Sequence, residues 1–462
     1  MNILASPNTM KGSLNADDFA ALIGKAFRKV SPVYHVRSVP IADGGDFTGP
    51  VICKHLNARM IKVQVADPLG REIEAEMGIA GDIAVIEMAS ASGLRLLSPG
   101  EPNPEVTTSL GTGQLIRRAI GTGCGKIYLG LGGSATVDGG IGILEALGFR
   151  FLDANGLPLP GVPGSLGNIS RVLTPDHLKD IEITLLCDVN NPLLGDDGAA
   201  RTFGPQKGAD KEMVERLETG LARWAEVLRQ QTGKNTANTA GAGAAGGIPV
   251  ALMAFTNARL VQGADFIFDL LDIGKHLEWA DLVITGEGSL DRQSLAQKAP
   301  VALALRARKA GKPVLALAGS YDTDIDLPFD AVFSIQNKPL SLDRAKAIAG
   351  DLAYDACLQI ARLLLASDMN LRVRHDTFMK IGRLFQDNRL KEAEALLENN
   401  TEDLSVYWYY RGLFHSKRQK WGDALNALSK ALEFDPENNQ ARTKSEIIKS
   451  ILGFSSHGHL NP

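Results

Sequence analysis

The 462-residue chain carries 49 Lys and Arg against 53 Asp and Glu, and 44% of its residues are hydrophobic. This near-neutral balance without a basic stripe argues against nucleic-acid binding, and the length predicts two or three domains. Four widely spaced cysteines without a Cys-x-x-Cys pair predict buried thiols rather than a zinc site, and no apolar run reaches the roughly 18 residues of a membrane helix, so we expect a cytoplasmic protein.

A polar segment with a lysine and a glycine follows the first apolar run. Ser6–Leu14 reads SPNTMKGSL and places Lys11 beside Gly12 and Ser13, just before a helix-like stretch. Such a lysine could neutralise a phosphoryl group, because cations clamp the phosphates in phosphoryl transfer. Taken alone, a lysine in such a segment is more often a solvated surface residue.

Several apolar runs are followed closely by acidic residues. Open α/β sheets bind ligands at the carboxyl ends of their strands, so carboxylates there could hold Mg²⁺ or accept a substrate proton. Each one taken alone also fits a helix cap. The candidates are Asp43 with Gly44 and Gly45 after the predicted strand Val36–Ile41, Asp188 and Asn190 after Ile183–Leu186, and Gly286, Glu287 and Asp291 after Leu282–Ile284.

The segment Gly130–Gly140, GLGGSATVDGG, is rich in glycine and lies between a strand-like run and a helix-like stretch. Backbone N–H groups at such a junction bind phosphates, so Gly132, Gly133 and the Ser134 hydroxyl could surround an anion. The alternative is a tight turn where helix and sheet pack closely.

The chain changes character near residue 370. Up to about Leu365, short apolar runs alternate with glycine turns and helix-like stretches, which predicts an α/β domain with a largely parallel sheet. Beyond residue 370 glycine becomes scarce and aromatic residues appear at helical spacing, which predicts a helical domain over 371–456.

This tail matches the tetratricopeptide pattern, which predicts two helix pairs and a closing helix. A weaker copy begins near Gly382. Because such units normally need about three repeats to bury their faces, we expect the tail to pack against the α/β body or another chain. The aromatic stripe is interpreted either as core or as a surface for a protein partner or self-association. With Gly412 at the glycine of the pattern, the other matching positions are Trp408, Ala424, Leu428, Ala431 and Pro436.

Ten motifs, in order, resemble those of the bacterial class II glycerate kinases over about residues 1–365. They are PNTMKGSL, VPIADGGD, IEMASASGL, TSLGTGQLI, LGGSATVDGG, LGFRFLDANG, CDVNNPLLG, FGPQKGA, GAGAAGG and ADLVITGEGSLD. The resemblance implies an enzyme that phosphorylates D-glycerate with ATP and Mg²⁺, often giving 2-phosphoglycerate. It implies a flavodoxin-like domain (1–65 and 278–366), an inserted α/β domain (66–277) and an active site in the cleft of that enzyme.

The chain departs from the family pattern at three positions that bear on ligand binding. Phe47 stands where the family usually has the second glycine of GEG, Val137 replaces an asparagine, and Ser289 replaces a large polar residue such as arginine. These changes put the choice of substrate in question. The polar and ionisable residues that remain in place are Lys11, Ser13, Asp43, Ser134, Asp138, Asp188, Glu287 and Asp291.

We therefore predict in-line phosphoryl transfer from ATP to a hydroxyl of D-glycerate. Two other hypotheses remain open: a kinase of another small hydroxy or sugar acid, or a non-catalytic assembly or regulatory protein that acts through the helical tail. The predicted roles are phosphate or substrate binding by Lys11, Ser13, Asp138 and the Gly132–Ser134 turn, proton acceptance by Asp43 or Asp188, and Mg²⁺ placement by Glu287 or Asp291.

Overall fold

The computed structural model describes residues 1–175, 181–292, 294, 298–400 and 403–453. Its internal contacts divide the chain into two compact units. The first unit comprises Met1–Pro40, Gly274–Ser294 and Leu303–Pro462, and the second comprises Ile41–Ile273 and Leu295–Ala302.

The strands and helices of the α/β part alternate along the chain. The strands are β1 (Asn2–Ala5), β2 (His35–Ser38), β3 (Arg59–Ala66), β4 (Glu72–Ala80), β5 (Ile83–Glu87), β6 (Lys126–Gly130), β7 (Arg150–Leu152), β8 (Pro158–Leu159), β9 (Arg171–Leu173), β10 (Glu182–Cys187), β11 (Asn257–Gln262), β12 (Leu282–Leu290), β13 (Val314–Tyr321) and β14 (Ala331–Ser334). The helices are α1 (Ala16–Val30), α2 (Thr48–His55), α3 (Ala89–Ser92), α4 (Leu110–Gly121), α5 (Ile141–Ala146), α6 (Ala199–Phe203), α7 (Lys211–Thr232), α8 (Ile248–Phe255), α9 (Gly263–Leu270), α10 (Ile273–Trp279), α11 (Ala299–Lys309), α12 (Leu342–Ala347) and α13 (Ala349–Ser367).

The first unit is built on a five-stranded parallel sheet in the order β2-β1-β12-β13-β14. Numbered by their order in the sequence, these strands run 2-1-3-4-5, which is the flavodoxin-like arrangement. Most of β12 is buried, as expected of a strand in a parallel sheet whose two faces are both covered. The predicted α/β fold with a flavodoxin-like sheet is therefore confirmed.

The second unit contains a six-stranded sheet in the order β11-β10-β6-β5-β4-β3 and a small antiparallel sheet of β7, β8 and β9. Strands β5, β6, β10 and β11 are parallel, whereas β3 and β4 form an antiparallel edge. The carboxyl ends of the four parallel strands therefore meet at one edge of this sheet.

Two predicted strands differ from the observed ones. The predicted strand Val36–Ile41 ends in the structure at Ser38, and Pro40 lacks the N–H that would continue a ladder. The predicted strand Leu282–Ile284 instead continues to Leu290, because residues beyond Ile284 pair with β13. As a correction, Gly286 and Glu287 lie within a strand rather than in the loop after it.

The boundary between the units falls at Pro40/Ile41, earlier than the predicted change at 65/66. Residues 41–65 are part of the second unit, since β3 pairs along its length with β4. The return to the first unit at Ile273/Gly274 lies close to the predicted 277/278.

The tail is helical and belongs to the first unit. Its helix pairs are α14 with α15 and α16 with α17, and α18 contacts α17. A Cβ atom placed on Gly412 would lie 2.8 Å from Leu428 Cγ, so glycine allows α16 and α17 to pack closely. The predicted helical region is confirmed, while its assignment as a tetratricopeptide domain stays a prediction. The tail helices are α14 (Met369–Gln386), α15 (Leu390–Glu398), α16 (Ser405–Lys417), α17 (Trp421–Phe434) and α18 (Asn439–Ile451).

The four cysteines are buried and unpaired, as predicted from their spacing. Among the described residues, no helix combines the length and the apolar character needed to cross a bilayer.

Candidate active site

Most of the predicted site residues in the second unit lie at the carboxyl edge of its parallel strands. The loop that carries Asp43 rests against the ends of β10 and β11. A Cβ atom on Gly44 would lie 2.9 Å from the Cys187 backbone nitrogen, and one on Gly263 would lie 2.1 Å from the Asp43 carbonyl oxygen. This backbone contact leaves room only for glycine.

Asp43 and Asp188 are brought together on either side of Gly45. A Cβ atom on Gly45 would lie 2.9 Å from Asp43 Oδ1 and 3.2 Å from Asp188 Oδ2. Asp43 is buried, and its Oδ1 also accepts a hydrogen bond of 3.0 Å from the Gly45 N–H. A pair of carboxylates beside a backbone turn can accept a proton or bind a cation.

Gly132 and Gly133 lie against the same loop. A Cβ atom on Gly132 would lie 2.3 Å from the Asp46 backbone nitrogen and from the Gly45 carbonyl carbon. Gly133 adopts the left-handed conformation, with φ of 68°. Close packing therefore requires glycine here, which was the alternative to anion binding in the sequence, and it also places the turn beside the two carboxylates.

Ser134 is held by a residue that the sequence analysis did not single out. Lys207 Nζ donates hydrogen bonds of 2.7 Å to Ser134 Oγ and 2.7 Å to the Thr136 carbonyl oxygen. Lys207 lies in the FGPQKGA motif and is 2% exposed. Sequence analysis could have identified Lys207 from its position between two glycines in FGPQKGA, one of the motifs shared with the glycerate kinases.

Asp138 was predicted to bind substrate or phosphate, but the structure gives its carboxylate a different set of partners. It is fully buried and accepts hydrogen bonds from the Ser109 N–H and hydroxyl and from the Gly140 and Gly142 N–H groups. Burial raises the pKa of Asp138, and these hydrogen bonds oppose that shift. The carboxylate thus ties α4 to the start of α5, and its predicted contact with substrate or phosphate stays a prediction.

Glu87 lies at the carboxyl end of β5 and is nearly buried beside the Asp43 loop. Its Oε1 accepts a hydrogen bond of 2.8 Å from the Gly49 N–H. Burial raises the pKa of Glu87, the charge of Asp46 acts in the same direction, and Arg95 opposes it. The second unit thus concentrates negative charge at this edge, with Arg95 and Lys207 as nearby cations.

Asn190 is exposed beyond the end of β10. Its side-chain oxygen accepts a hydrogen bond of 2.7 Å from Gln262 Nε2 at the end of β11. Asn190 therefore lies on the same sheet edge as Asp188.

In the first unit, Lys11 and Ser13 lie in the loop between β1 and α1. Met10 and Leu14 pair across this loop, and the Ser13 hydroxyl donates a hydrogen bond of 3.1 Å to the Met10 carbonyl oxygen. A Cβ atom on Gly288 would lie 3.8 Å from the Lys11 backbone nitrogen. The lysine loop therefore runs beside the last residues of β12.

The other candidates in the first unit lie on β12 and just after it. A Cβ atom on Gly286 would lie 2.1 Å from the Leu317 carbonyl oxygen, so strand packing alone requires this glycine. Glu287 is buried, whereas Asp291 Oδ1 accepts a hydrogen bond of 3.2 Å from the Ser294 N–H and so caps a turn. The site residues thus form two groups, one in each unit.

Among the residues that the structure describes, no group of three or more His, Cys, Asp or Glu side chains is arranged to hold a metal ion. Mg²⁺ is commonly bound by only one or two carboxylates together with phosphate oxygens and water. The oxygen donors of the two groups are of the kind that Mg²⁺ prefers.

Known proteins share this architecture over most of the chain. A model of the glycerate kinase family matches residues 3–365. Glycerate 2-kinase of Escherichia coli (strain K12) is 41% identical over 377 residues, covering 79% of this chain and 98% of that protein. A glycerate kinase of Halalkalibacterium halodurans is 39% identical over 368 residues, covering 78% and 97%.

A solved structure gives the same result. The crystal structure of a putative glycerate kinase 2 from Salmonella typhimurium LT2 matches with a TM-score of 0.71 at 39% identity, covering 79% of this chain and 99% of that one. The fold and the named relatives together show that this chain is a kinase of the α/β class. The chain belongs to the glycerate kinase family, and α14–α18 lie beyond the part that the family model matches.

Proposed function

We propose that this chain transfers the γ-phosphoryl group of ATP to a hydroxyl of D-glycerate, giving phosphoglycerate and ADP. The observation that carries the proposal is the pair of carboxylates, Asp43 and Asp188, on either side of Gly45 and beside the glycine turn. The relatives named as glycerate kinases support the choice of acceptor. The name glycerate 2-kinase favours 2-phosphoglycerate as the product.

In the proposed reaction, the glycerate hydroxyl oxygen forms a bond to the γ-phosphorus while the bond from that phosphorus to the bridging oxygen of ADP breaks. The hydroxyl proton passes to Asp43 or Asp188. The protein contributes mainly position and charge, because phosphoryl transfer needs little covalent chemistry from side chains.

Lys11 would neutralise phosphate charge, and Ser13 and the Gly132–Ser134 turn would bind phosphate or carboxylate oxygens. Mg²⁺, when bound with ATP, would offset the negative charge of the phosphates. Glu287 and Asp291 supply the oxygen donors that we assign to it.

The test is ATP-dependent phosphorylation of D-glycerate by the full chain and by Asp43→Asn and Asp188→Asn. Loss of a general base typically costs about 100-fold or more in turnover, so we expect kcat to fall by at least that factor with unchanged thermal unfolding. Asp82→Asn, at an exposed residue in an ion pair with Lys126, serves as the control. Two fully active Asn variants would remove the assignment.

A second candidate function is phosphorylation of a different hydroxy acid or sugar acid. Phe47 favours it, because a bulky ring stands beside the Asp43 loop where the family usually has glycine. Assaying ATP consumption over a panel of hydroxy acids decides between the two. Turnover with another acceptor and none with D-glycerate would establish the second candidate.

We also propose that the helical tail binds a protein partner or a second copy of the chain. Its similarity to a tetratricopeptide pattern supports this role. Light scattering of the full chain tests self-association directly. A monomer at all concentrations would leave only a heterologous partner as the proposed function of this surface.

A further inference from the structure

Lys207 is an almost fully buried lysine that contacts the glycine turn through two short hydrogen bonds. Its Nζ lies 2.7 Å from Ser134 Oγ and 2.7 Å from the Thr136 carbonyl oxygen. Burying a lysine is costly, and buried lysines are retained where they are bonded or used. Both partners of Lys207 belong to the segment that follows β6, so Lys207 acts on this segment.

The hydrogen-bonding capacity of the two groups fixes the direction of the bond. A charged lysine is a donor only, so the Ser134 oxygen must accept from it. The hydroxyl proton then points away from Lys207, and among the described residues it is donated to no acceptor within the chain. Ser134 is 8% exposed as a residue, so it is not completely closed off from solvent.

We propose that Lys207 is a positioning residue that holds the Ser134 hydroxyl as a donor to an anionic oxygen of a ligand bound at the Gly132–Ser134 turn. This inference rests on the proposed function and adds to it the group that orients the turn. The shared chemistry of the ligand is a phosphate or carboxylate oxygen, which could come from ATP or from the hydroxy acid.

Protonation of Lys207 makes the arrangement sensitive to pH. Burial lowers the pKa of Lys207 to about 7, and the charge of the buried Asp138, the charged group facing it among the described residues, opposes that shift. A neutral amine has a lone pair and can accept the Ser134 proton. The Ser134 hydroxyl would then turn toward Lys207, and the ligand would lose its donor as the pH rises through about 7.

The experiment compares four full-length proteins with the wild type: Ser134→Ala, Lys207→Met, the double variant, and the control Lys234→Met. Lys234 also donates to a backbone carbonyl oxygen, that of Met253, but it is exposed. We expect Ser134→Ala and Lys207→Met each to raise one KM about tenfold, the loss typical of a hydrogen bond to a charged group. The substrate whose KM rises identifies whether the oxygen belongs to ATP or to glycerate.

Two results separate this role from a merely structural one. Because Lys207 acts through Ser134, the double variant should bind substrate no worse than Lys207→Met alone. In the wild type kcat/KM should fall above about pH 7, and Ser134→Ala should lose that fall. Additive effects, or the same pH profile in Ser134→Ala as in the wild type, would overturn the inference; should Lys207→Met fail to fold, the pH comparison decides by itself.

Failure of the proposed function would be visible separately. If the wild type does not phosphorylate D-glycerate, calorimetric binding of D-glycerate and of ATP to the same proteins gives the comparison. Weaker binding by Ser134→Ala and Lys207→Met would then uphold the inference without the reaction. A wild type that binds neither compound would overturn both.

Discussion

Phe47 carries a local backbone strain in a loop that belongs to the candidate site. It has φ of 67° and ψ of 18°, the left-handed conformation, immediately before α2. That conformation costs a residue with a Cβ atom roughly 1–2 kcal/mol. This cost explains why the glycerate kinase family usually has glycine at this position. The Arg95 guanidinium lies 4.8 Å from the centre of the Phe47 ring, and this contact offsets part of the strain.

Alanine usually gives a more stable protein than glycine does at the same position, and at position 47 we expect the opposite order of stability. Phe47→Ala keeps the strain and loses the ring, whereas Phe47→Gly loses the ring but relieves the strain. We expect Phe47→Gly to be more stable than Phe47→Ala by about 1 kcal/mol in urea unfolding. A more stable Phe47→Ala would show that φ at this residue is not positive in solution.

At the scale of elements, the candidate site depends on how closely two loops approach each other. The turn after β6 lies against the Asp43 loop through Gly132, and its backbone is also held to α3 and the following turn. The Leu94 N–H donates to the Gly133 carbonyl oxygen at 2.9 Å, and the Ala135 N–H donates to the Ser92 carbonyl oxygen at 2.9 Å. The carboxylate pair is therefore positioned by backbone packing between loops.

Gly132→Ala should displace the carboxylates without changing any ionisable group. Its Cβ would lie 2.3 Å from backbone atoms of Gly45 and Asp46, which cannot move as a flexible side chain would. We expect kcat to fall at least tenfold, since misplacement by about 1 Å costs up to about 100-fold. The matched control is Gly125→Ala before β6, where a Cβ atom meets nothing within 4 Å; equal activity of the two variants would contradict the packing argument.

At the scale of the whole molecule, the tail shares a hydrophobic core with the body of the first unit. One cluster of buried side chains includes Phe27 of α1, Ile360 of α13 and Phe378 of α14. Arg28 also forms ion pairs with Asp435 and Glu437, both of which follow α17. The expectation that the tail packs against the α/β body is confirmed, and the tail's functions are best tested in the full chain because its removal would expose this core.

His35 links the tail to the body in a way that responds to acid. The buried His35 ring accepts a hydrogen bond of 3.3 Å from the Ser405 N–H, and burial lowers the pKa of His35 to about 3. The ordinary histidine pKa is about 6.5, so the unfolded chain takes up a proton that the folded chain does not between these two values. The contribution of His35 to stability is therefore present above about pH 6.5 and is lost as the pH falls toward 3.

We expect the free energy of unfolding to fall by about 1 kcal/mol per pH unit between pH 6 and 5, before most carboxylates titrate. His35→Gln should flatten this slope, and His55→Gln, at an exposed position of α2, should not. The measurement is chemical unfolding at fixed pH, followed by tryptophan fluorescence. An unchanged slope in His35→Gln would show that the ring is already protonated or exposed in the folded protein.

The sequence by itself determined the alternation of strand and helix, the change to a helical tail near residue 370, and the placement of Asp43 and Asp188 close to strand ends. These features follow from the local spacing of apolar residues and glycines, which each segment carries independently of the rest. The tetratricopeptide pattern of the tail is local in the same sense.

Only the tertiary structure decided which of these residues meet. Asp43 and Asp188 come from loops far apart in the chain and lie together because Gly45 leaves no side chain between them. The buried Lys207 meets the Ser134 hydroxyl, and Gly286 packs against the carbonyl oxygen of Leu317. Contacts of this kind depend on distances between segments that are far apart in the chain, and local sequence does not encode these distances. From the sequence alone, the same residue types are therefore compatible with a helix cap, a turn or a ligand-binding role, and only the folded structure shows their partners.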